Sequence, residues 1–298
     1  MAAAGGLFRN SSLFCAGPFM KFVRVGAHSW ACIGGGEDVL HSYGANQGYA
    51  VDGETCVVID SGFHPGTADR ILRRVHRQHP KRLILVDTHY HSDHVFGNSI
   101  LGDDGAAIIS HEKCRHRMLS QSPSLLVKYR ARDSRLSKLL HGVKITYPTI
   151  TYTDRLKVHL DKVEARIIHP GERAHTDGDS MVYVPEDRVL FSGDVLWVGY
   201  HPNLEDANIP GQVRALRQII RLEPRKIVPG HGPVCGLFEV RRLIRYLEQF
   251  DRNLYKALVD KLTLDQTIDR TIPIWAREWK MRRLAESYVR SRWSNARG

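Results

Sequence analysis

Three imidazoles and a carboxylate fall within one short stretch, His89-Tyr90-His91-Ser92-Asp93-His94, downstream of the apolar run Leu83-Ile84-Leu85-Val86. A short apolar run bounded by polar residues reads as a buried strand, so the cluster sits where that strand gives way to a loop. In extended chain alternate residues share a side, and His89 and His91 then point at one atom while Tyr90 points away. A helical turn immediately afterwards would bring Asp93 and His94 round to a neighbouring point. Imidazole pairs beside a further carboxylate and imidazole suit two zinc ions a few ångströms apart. The alternative is a polar surface loop, but chance rarely produces three His and an Asp at this spacing.

Three more residues of the same types lie downstream, each at the edge of an apolar segment. His175 lies between the strand-like stretches 165–168 and 180–184. Asp194 ends Val189-Leu190-Phe191-Ser192-Gly193-Asp194, where the glycine permits a tight turn and close backbone approach. His231 follows Ile227-Val228-Pro229-Gly230. One imidazole or carboxylate from each of four strand ends is how a sheet assembles a metal site at one rim.

Together these segments resemble the metallo-β-lactamase superfamily. The matching pieces are Asp60-Ser61-Gly62, His89-x-His91-x-Asp93-His94, His175-Thr176, Gly193-Asp194 and Gly230-His231-Gly232, spread from about Gly44 to Val234. Phe96-Gly97-Asn98, Ala174-His175-Thr176-Asp177-Gly178-Asp179 and Val228-Pro229-Gly230-His231-Gly232-Pro233 are most similar to the quinoprotein relay system zinc metallohydrolase group. The resemblance implies an α/β (α+β) fold, a four-layer αββα sandwich with the metals in a groove at one edge of the two sheets. It also implies a ligand set: His89, His91 and His175 for one zinc, Asp93, His94 and His231 for the other, and Asp194 bridging. Lactamases with a cysteine ligand carry it where this chain has Asp194. A second carboxylate is shared instead with the glyoxalase II, lactonase and thioesterase relatives, so antibiotic hydrolysis is not favoured. His91 stands where flavodiiron relatives have Glu. Persulfide dioxygenase relatives share the first motif with a single iron.

The chemistry implied is hydrolysis of an ester, lactone, thioester or amide by a metal-bridging hydroxide, since shared zincs lower the pKa of water from about 16 towards neutrality. Asp93 would orient that hydroxide and pass its proton to the leaving group. Asp60 is a candidate acceptor for a ligand imidazole N–H, and Tyr200 and His201 are candidates to line the groove, Tyr200 as an oxyanion donor. The runner-up is a mononuclear iron dioxygenase of persulfides. A metal-dependent nuclease or nucleic-acid-binding member is a further alternative, weakened because only 195–230 separates Asp194 from His231, too short for the extra domain of such nucleases.

The remaining residues must build the frame. At 298 residues, 42% hydrophobic and 25% charged, the chain suits one soluble domain with a large core. No apolar run approaches the roughly twenty residues that span a bilayer. Residues 1–19 make a poor signal peptide and read as a mobile tail, with Met20 an alternative start. Residues 20–262 read as the hydrolase domain and 263–298 as a helical extension packed on it. Five widely spaced cysteines point to a reducing, cytoplasmic setting. The 43 Lys and Arg against 32 Asp and Glu, net +11, read as solvated surface, with an acidic small-molecule acyl substrate as the functional alternative. Neither a membrane nor a nucleic acid is the expected partner.

Locally, the spacing predicts a hairpin around Asp52-Gly53, a helix over 66–79 stopped by Pro80, and a helix over 212–222. Residues 113–138, with eight Lys or Arg against one Asp, predict a helical excursion beside the site, interrupted at Ser122-Pro123-Ser124. Leu243, Leu247, Phe250, Leu254 and Leu258 repeat at helical spacing, and Thr263-Leu264-Asp265-Gln266 predicts a capping box. Trp275, Trp279, Tyr288 and Trp293 then alternate with seven basic residues; the first two sit a helical turn apart, as packing residues do.

Overall fold

Alternation along the strands sets the layers. The computed structural model describes residues 20–297, so the expected tail and Cys15 lie outside the described residues. One mixed sheet contains β1 (Lys21–Arg24), β2 (Ser29–Ile33), β3 (Gln47–Asp52), β4 (Thr55–Ile59), β5 (Arg82–Asp87), β6 (Ala107–His111) and β7 (Ile150–Tyr152), side by side in chain order. The second contains β8 (Arg155–His159), β9 (Glu164–Ile168), β10 (Met181–Val184), β11 (Val189–Phe191) and β12 (Lys226–Val228), again in chain order. The helices are α1 (Pro65–His76), α2 (Ser92–Val95), α3 (Asn98–Asp103), α4 (Glu112–Arg132), α5 (Ser134–Leu139), α6 (Ile209–Leu222), α7 (Leu237–Val259), α8 (Leu264–Thr271) and α9 (Arg282–Asn295).

Val57 and Ile59 of β4 meet Val182, Val184, Val189, Phe191 and Val228 of the other sheet in one buried cluster. Cys56 and Val58, the alternate residues of β4, pack with Ile71 and Val75 of α1. Tyr183, Leu190 and Ile227 face the other way, onto Leu216 and Ile219 of α6 and Leu243, Leu247 and Phe250 of α7. The central strands thus bury both faces, and helix, sheet, sheet and helix stack as four layers. The chain is a single α/β domain with C-terminal helices.

Several local expectations shift for identifiable reasons. β3 and β4 pair antiparallel with Asp52 opposite Thr55, so the turn residues are Gly53 and Glu54, the glycine at φ 56°. α1 ends at His76, a turn early, and His79 takes φ 52° ahead of Pro80. The expected interruption at Pro123 does not occur. α4 runs through it, losing one backbone hydrogen bond, because Cys114, Met118 and Leu126 are buried together with Phe63 and Phe96. The break falls instead at the extended Asp133, whose carboxylate accepts from Arg135 N and Leu136 N to start α5. α6 begins three residues before Gln212 because the Asn208 side chain accepts from Gly211 N.

The C-terminal segment is held by its aromatics. Thr263 and Gln266 form the reciprocal capping box of α8. Trp279 stacks on Tyr246 of α7 at 4.8 Å and meets Trp275 edge-on at 5.5 Å, while Trp293 donates to the Leu262 carbonyl at 3.0 Å. Among the described residues no helix is long and apolar enough to cross a membrane.

Phe250 is fully buried in this interface, whereas Phe238 on the same helix is 73% exposed. Urea unfolding should show Phe250→Ala losing about 3–5 kcal/mol and Phe238→Ala less than about 0.5 kcal/mol.

Candidate metal centre

The ends of β4, β5, β11 and β12 and the loop joining β9 to β10 meet at one edge of the sandwich. His91, extended at φ −64° and ψ 146°, starts the single turn of α2, so the backbone bends where Asp93 and His94 must come round. His89, His91, His175 and Asp194 form one group of donors, and Asp93, His94 and His231 a second; within each group the donor atoms lie no more than 4.8 Å apart. His91 presents Nδ1, at 3.1 Å from His89 Nε2 and 3.0 Å from His175 Nε2. Asp194 stands between the groups. Its Oδ2 lies 3.4 Å from His175 Nε2 and 3.5 Å from His231 Nε2, and its Oδ1 lies 3.2 Å from His94 Nε2. Asp93 Oδ2 is 3.4 Å from His231 Nε2. The structure therefore brings together all seven side chains singled out from the sequence.

The donors fit cations. His94 Nε2, His231 Nε2 and Asp194 Oδ1 are buried, aimed inward and without a hydrogen-bond partner, an arrangement that costs about 1–3 kcal/mol per group unless something satisfies it. Burial takes the His175 ring down to about 3, and burial with the His94 charge holds His89 well below the ordinary histidine range, leaving neutral rings with lone pairs to give. Burial opposes the charged forms of His231 and Asp194, yet their mutual attraction wins: His231 is pushed up to about 9 and Asp194 held well below the usual carboxylate range. A bound cation would replace the protons in those contacts. Nitrogen and carboxylate donors of this kind suit zinc and its divalent neighbours.

Three of the rings are fixed from behind. Asp60, at φ 60°, accepts from Thr88 N at 2.7 Å and Thr88 Oγ1 at 2.8 Å, and takes His94 Nδ1–H at 2.8 Å. His231 Nδ1 donates to the Tyr43 carbonyl at 2.9 Å. Asp206 Oδ2 lies 3.3 Å from His91 Nε2 and also accepts from the Tyr90 hydroxyl, which turns the His91 Nδ1 inward. Asp179, pushed up to about 7 by burial, accepts from Thr176 N and Oγ1 and braces the His175 loop. Gly230 lets two of these strand ends meet, since a Cβ there would overlap the Asp194 carboxylate. Gly193 provides the turn at φ 49°.

Asp206, Tyr43 and Asp179 are missing from the sequence-derived set. Asp206 lies in Asn203-Leu204-Glu205-Asp206, an irregular stretch with no periodicity to flag it, and the Tyr43 contact is made by a carbonyl, which any residue supplies. Neither Tyr200 nor His201 lines the groove, although the Tyr200 ring lies 5.9 Å from that of His231. Lys280 N donates to Gly199 O at 2.9 Å and His201 N to Lys280 O at 2.8 Å, which draws the segment onto the C-terminal helices. The Tyr200 hydroxyl accordingly donates to Gly36 O at 3.1 Å, and His201 Nδ1 lies 2.8 Å from the Tyr246 hydroxyl in the core. The groove itself encloses about 660 Å³ and is lined by His91, Asp93, Asp194 and Trp197 on its metal side.

Residues 43–231 match the family model of the metallo-beta-lactamase superfamily. The chain belongs to this superfamily. Among solved metallo-beta-lactamases, the one from Pontibacter korlensis superposes with a TM-score of 0.63 and 16% identity, covering 76% of this chain and 98% of that one. The DIM-1 metallo-beta-lactamase, in a crystal exposed to ceftazidime, gives 0.60 and 15%, covering 78% and 98%. At such identities the likeness is one of fold. The α subunit of 2,4-dinitroanisole O-demethylase from Nocardioides sp. (strain JS1661) is 26% identical over 187 residues, 61% of this chain and 51% of that protein. The chain thus spans about half the length of this curated relative.

Removing a brace should loosen its ring without unfolding the domain. Asp60→Asn keeps the left-handed backbone accessible, and Asp206→Asn keeps the shape. Each should weaken metal retention by about 10–100-fold in competition with a chelator; unchanged retention would show that the rings need no bracing.

Proposed function

We propose that this superfamily member is a binuclear zinc hydrolase that cleaves an ester, lactone, thioester or amide. The observation that supports it is a pair of adjacent donor groups with one carboxylate, Asp194, facing both. Zinc ions bound there would bring the pKa of a shared water towards neutrality and polarise a carbonyl.

The chain's own residues would divide the rest of the work. His89, His91 and His175 would hold one ion as neutral imidazoles; Asp93, His94 and His231 would hold the other. Asp93 lines the groove, where its carboxylate would take a proton and return it to the leaving group. Trp197 stacks on His231 at 3.8 Å and 13°, fixing the ring and shielding it from water. Asp194 in place of a thiolate would make the site harder, with two oxygens available to face both donor groups. The stretch between Asp194 and His231 folds as a short turn, α6 and β12 within the same layers, leaving no room for an inserted nuclease domain. The name of the O-demethylase relative adds an activated aryl ether to the bonds worth assaying.

Elemental analysis of protein purified without added metal should find close to two zinc ions per chain; one tightly held iron and no second metal would favour persulfide oxidation instead. Asp93→Asn should lower turnover by at least about a hundredfold, the scale of general acid–base catalysis. Near-normal turnover would place the proton transfer elsewhere.

A further inference from the structure

The groove carries a charge pattern that bond cleavage leaves unused. One face of α4 walls it: Gln121, Ser124, Leu125, Lys128, Tyr129 and Arg132 recur at three- and four-residue steps and all line the cleft. Arg283, in the first turn of α9, lines the same cleft from the far end of the chain, its guanidinium 5.8 Å from the Tyr43 ring centre and bonded to the Glu37 carbonyl at 3.2 Å. Lys128 and Arg132 repel one another across one helical turn. Among the described residues none of these three cations forms a salt bridge. Asp133, next to Arg132, is turned to cap α5. On the same two helices Arg117 pairs with Asp177 and Arg282 with Glu286, whereas Arg115 and Arg130 are engaged by the carbonyls of Pro148, Leu140 and Val143, so what sets Lys128, Arg132 and Arg283 apart is their shared place on the cleft. Of the acids in the cleft, Asp93 and Asp194 belong to the metal centre and Asp206 to His91 and Tyr90; Glu205 alone faces the opening as a repelling group.

Unmatched cations from two distant segments converge on the mouth of a site of about 660 Å³, the size that encloses a small molecule rather than a polymer. Resting on the hydrolase reading above, we infer that the substrate is a small acyl compound bearing an anionic group, a carboxylate or a phosphate, held by Lys128, Arg132 and Arg283 while its carbonyl faces the metal centre. With a thioester, water adds across the acyl–sulfur bond to give a carboxylic acid and a thiol, and the anion remains on the thiol portion.

The test compares S-acetyl-3-mercaptopropionate, its phosphate counterpart S-acetyl-2-mercaptoethyl phosphate, and the neutral carboxamide of the first, using zinc-loaded full-length protein. In Lys128→Ala/Arg132→Ala/Arg283→Ala the ratio of kcat/KM for anionic over neutral substrate should fall by about tenfold or more, as expected for lost charge-assisted contacts. The preferred anion in the wild type separates carboxylate from phosphate. Arg135→Ala/Lys138→Ala/Arg290→Ala removes as much charge outside the cleft and should leave the ratio within about twofold, the scale of general screening. A ratio equal in both variants and the wild type overturns the inference while leaving hydrolysis standing. If the wild type cleaves none of the three, these thioesters are not its substrates, and calorimetric titration with succinate and inorganic phosphate decides the anion site alone: weaker binding in the cleft variant than in the control supports it, equal binding overturns it. Chelator-sensitive cleavage of single-stranded RNA, lost in the cleft variant, would also overturn the small-molecule assignment.

Discussion

Everything at the rim of this fold answers to one constraint: buried lone pairs pointed at each other. Five imidazoles and two carboxylates aim their donor atoms into a space from which water is largely excluded, and polar atoms left unpaired in such a space are costly. Left to relax, each ring would rotate towards a neighbour and the cluster would collapse into ordinary hydrogen bonds. In three of the five rings the opposite nitrogen prevents this. His94 is anchored through Nδ1 to Asp60, His231 through Nδ1 to the Tyr43 carbonyl, and His91 through Nε2 to Asp206. The inward geometry is a consequence of outward hydrogen bonds.

Those anchors in turn need rigid supports. Asp60 keeps a left-handed backbone because both its oxygens are engaged by Thr88 and His94 between two parallel strands, β4 and β5. Such strain persists only where the surroundings over-determine it. The apolar layer between the sheets, with Val57, Val86, Val182 and Phe191 among its residues, sets the spacing from which every strand end departs. Packing remote from the chemistry thereby determines donor distances within it.

The residues that cluster as candidate donors are legible from the chain because they are dense, unusual and placed at the ends of apolar runs. The layers were legible because each strand alternates which sheet face it serves, and Thr263 with Gln266 announced its own cap. Other features depend on partners that no local pattern encodes. Pro123 reads as a break until Met118 and Leu126 are seen buried with Phe96. Tyr200 and His201 read as groove residues until the pairing with Lys280 carries them inward. Asp206 is one acid among many until folding sets it against His91 and Tyr90. Tertiary contact, more than composition, distinguishes these residues.

The donors do not come from one sheet. His89, His91, Asp93 and His94 follow β5 of the first, whereas His175, Asp194 and His231 belong to connections and ends in the second. An ion shared among them would be a rivet through the edge of the sandwich, joining halves of the chain that otherwise meet through an apolar layer and a few hydrogen bonds. Because occupancy favours the folded form in proportion to the logarithm of metal supply, the availability of the ion would govern how often the sheets part and how long the polypeptide survives proteases. In a metal-starved cell this protein would be depleted by turnover as well as silenced.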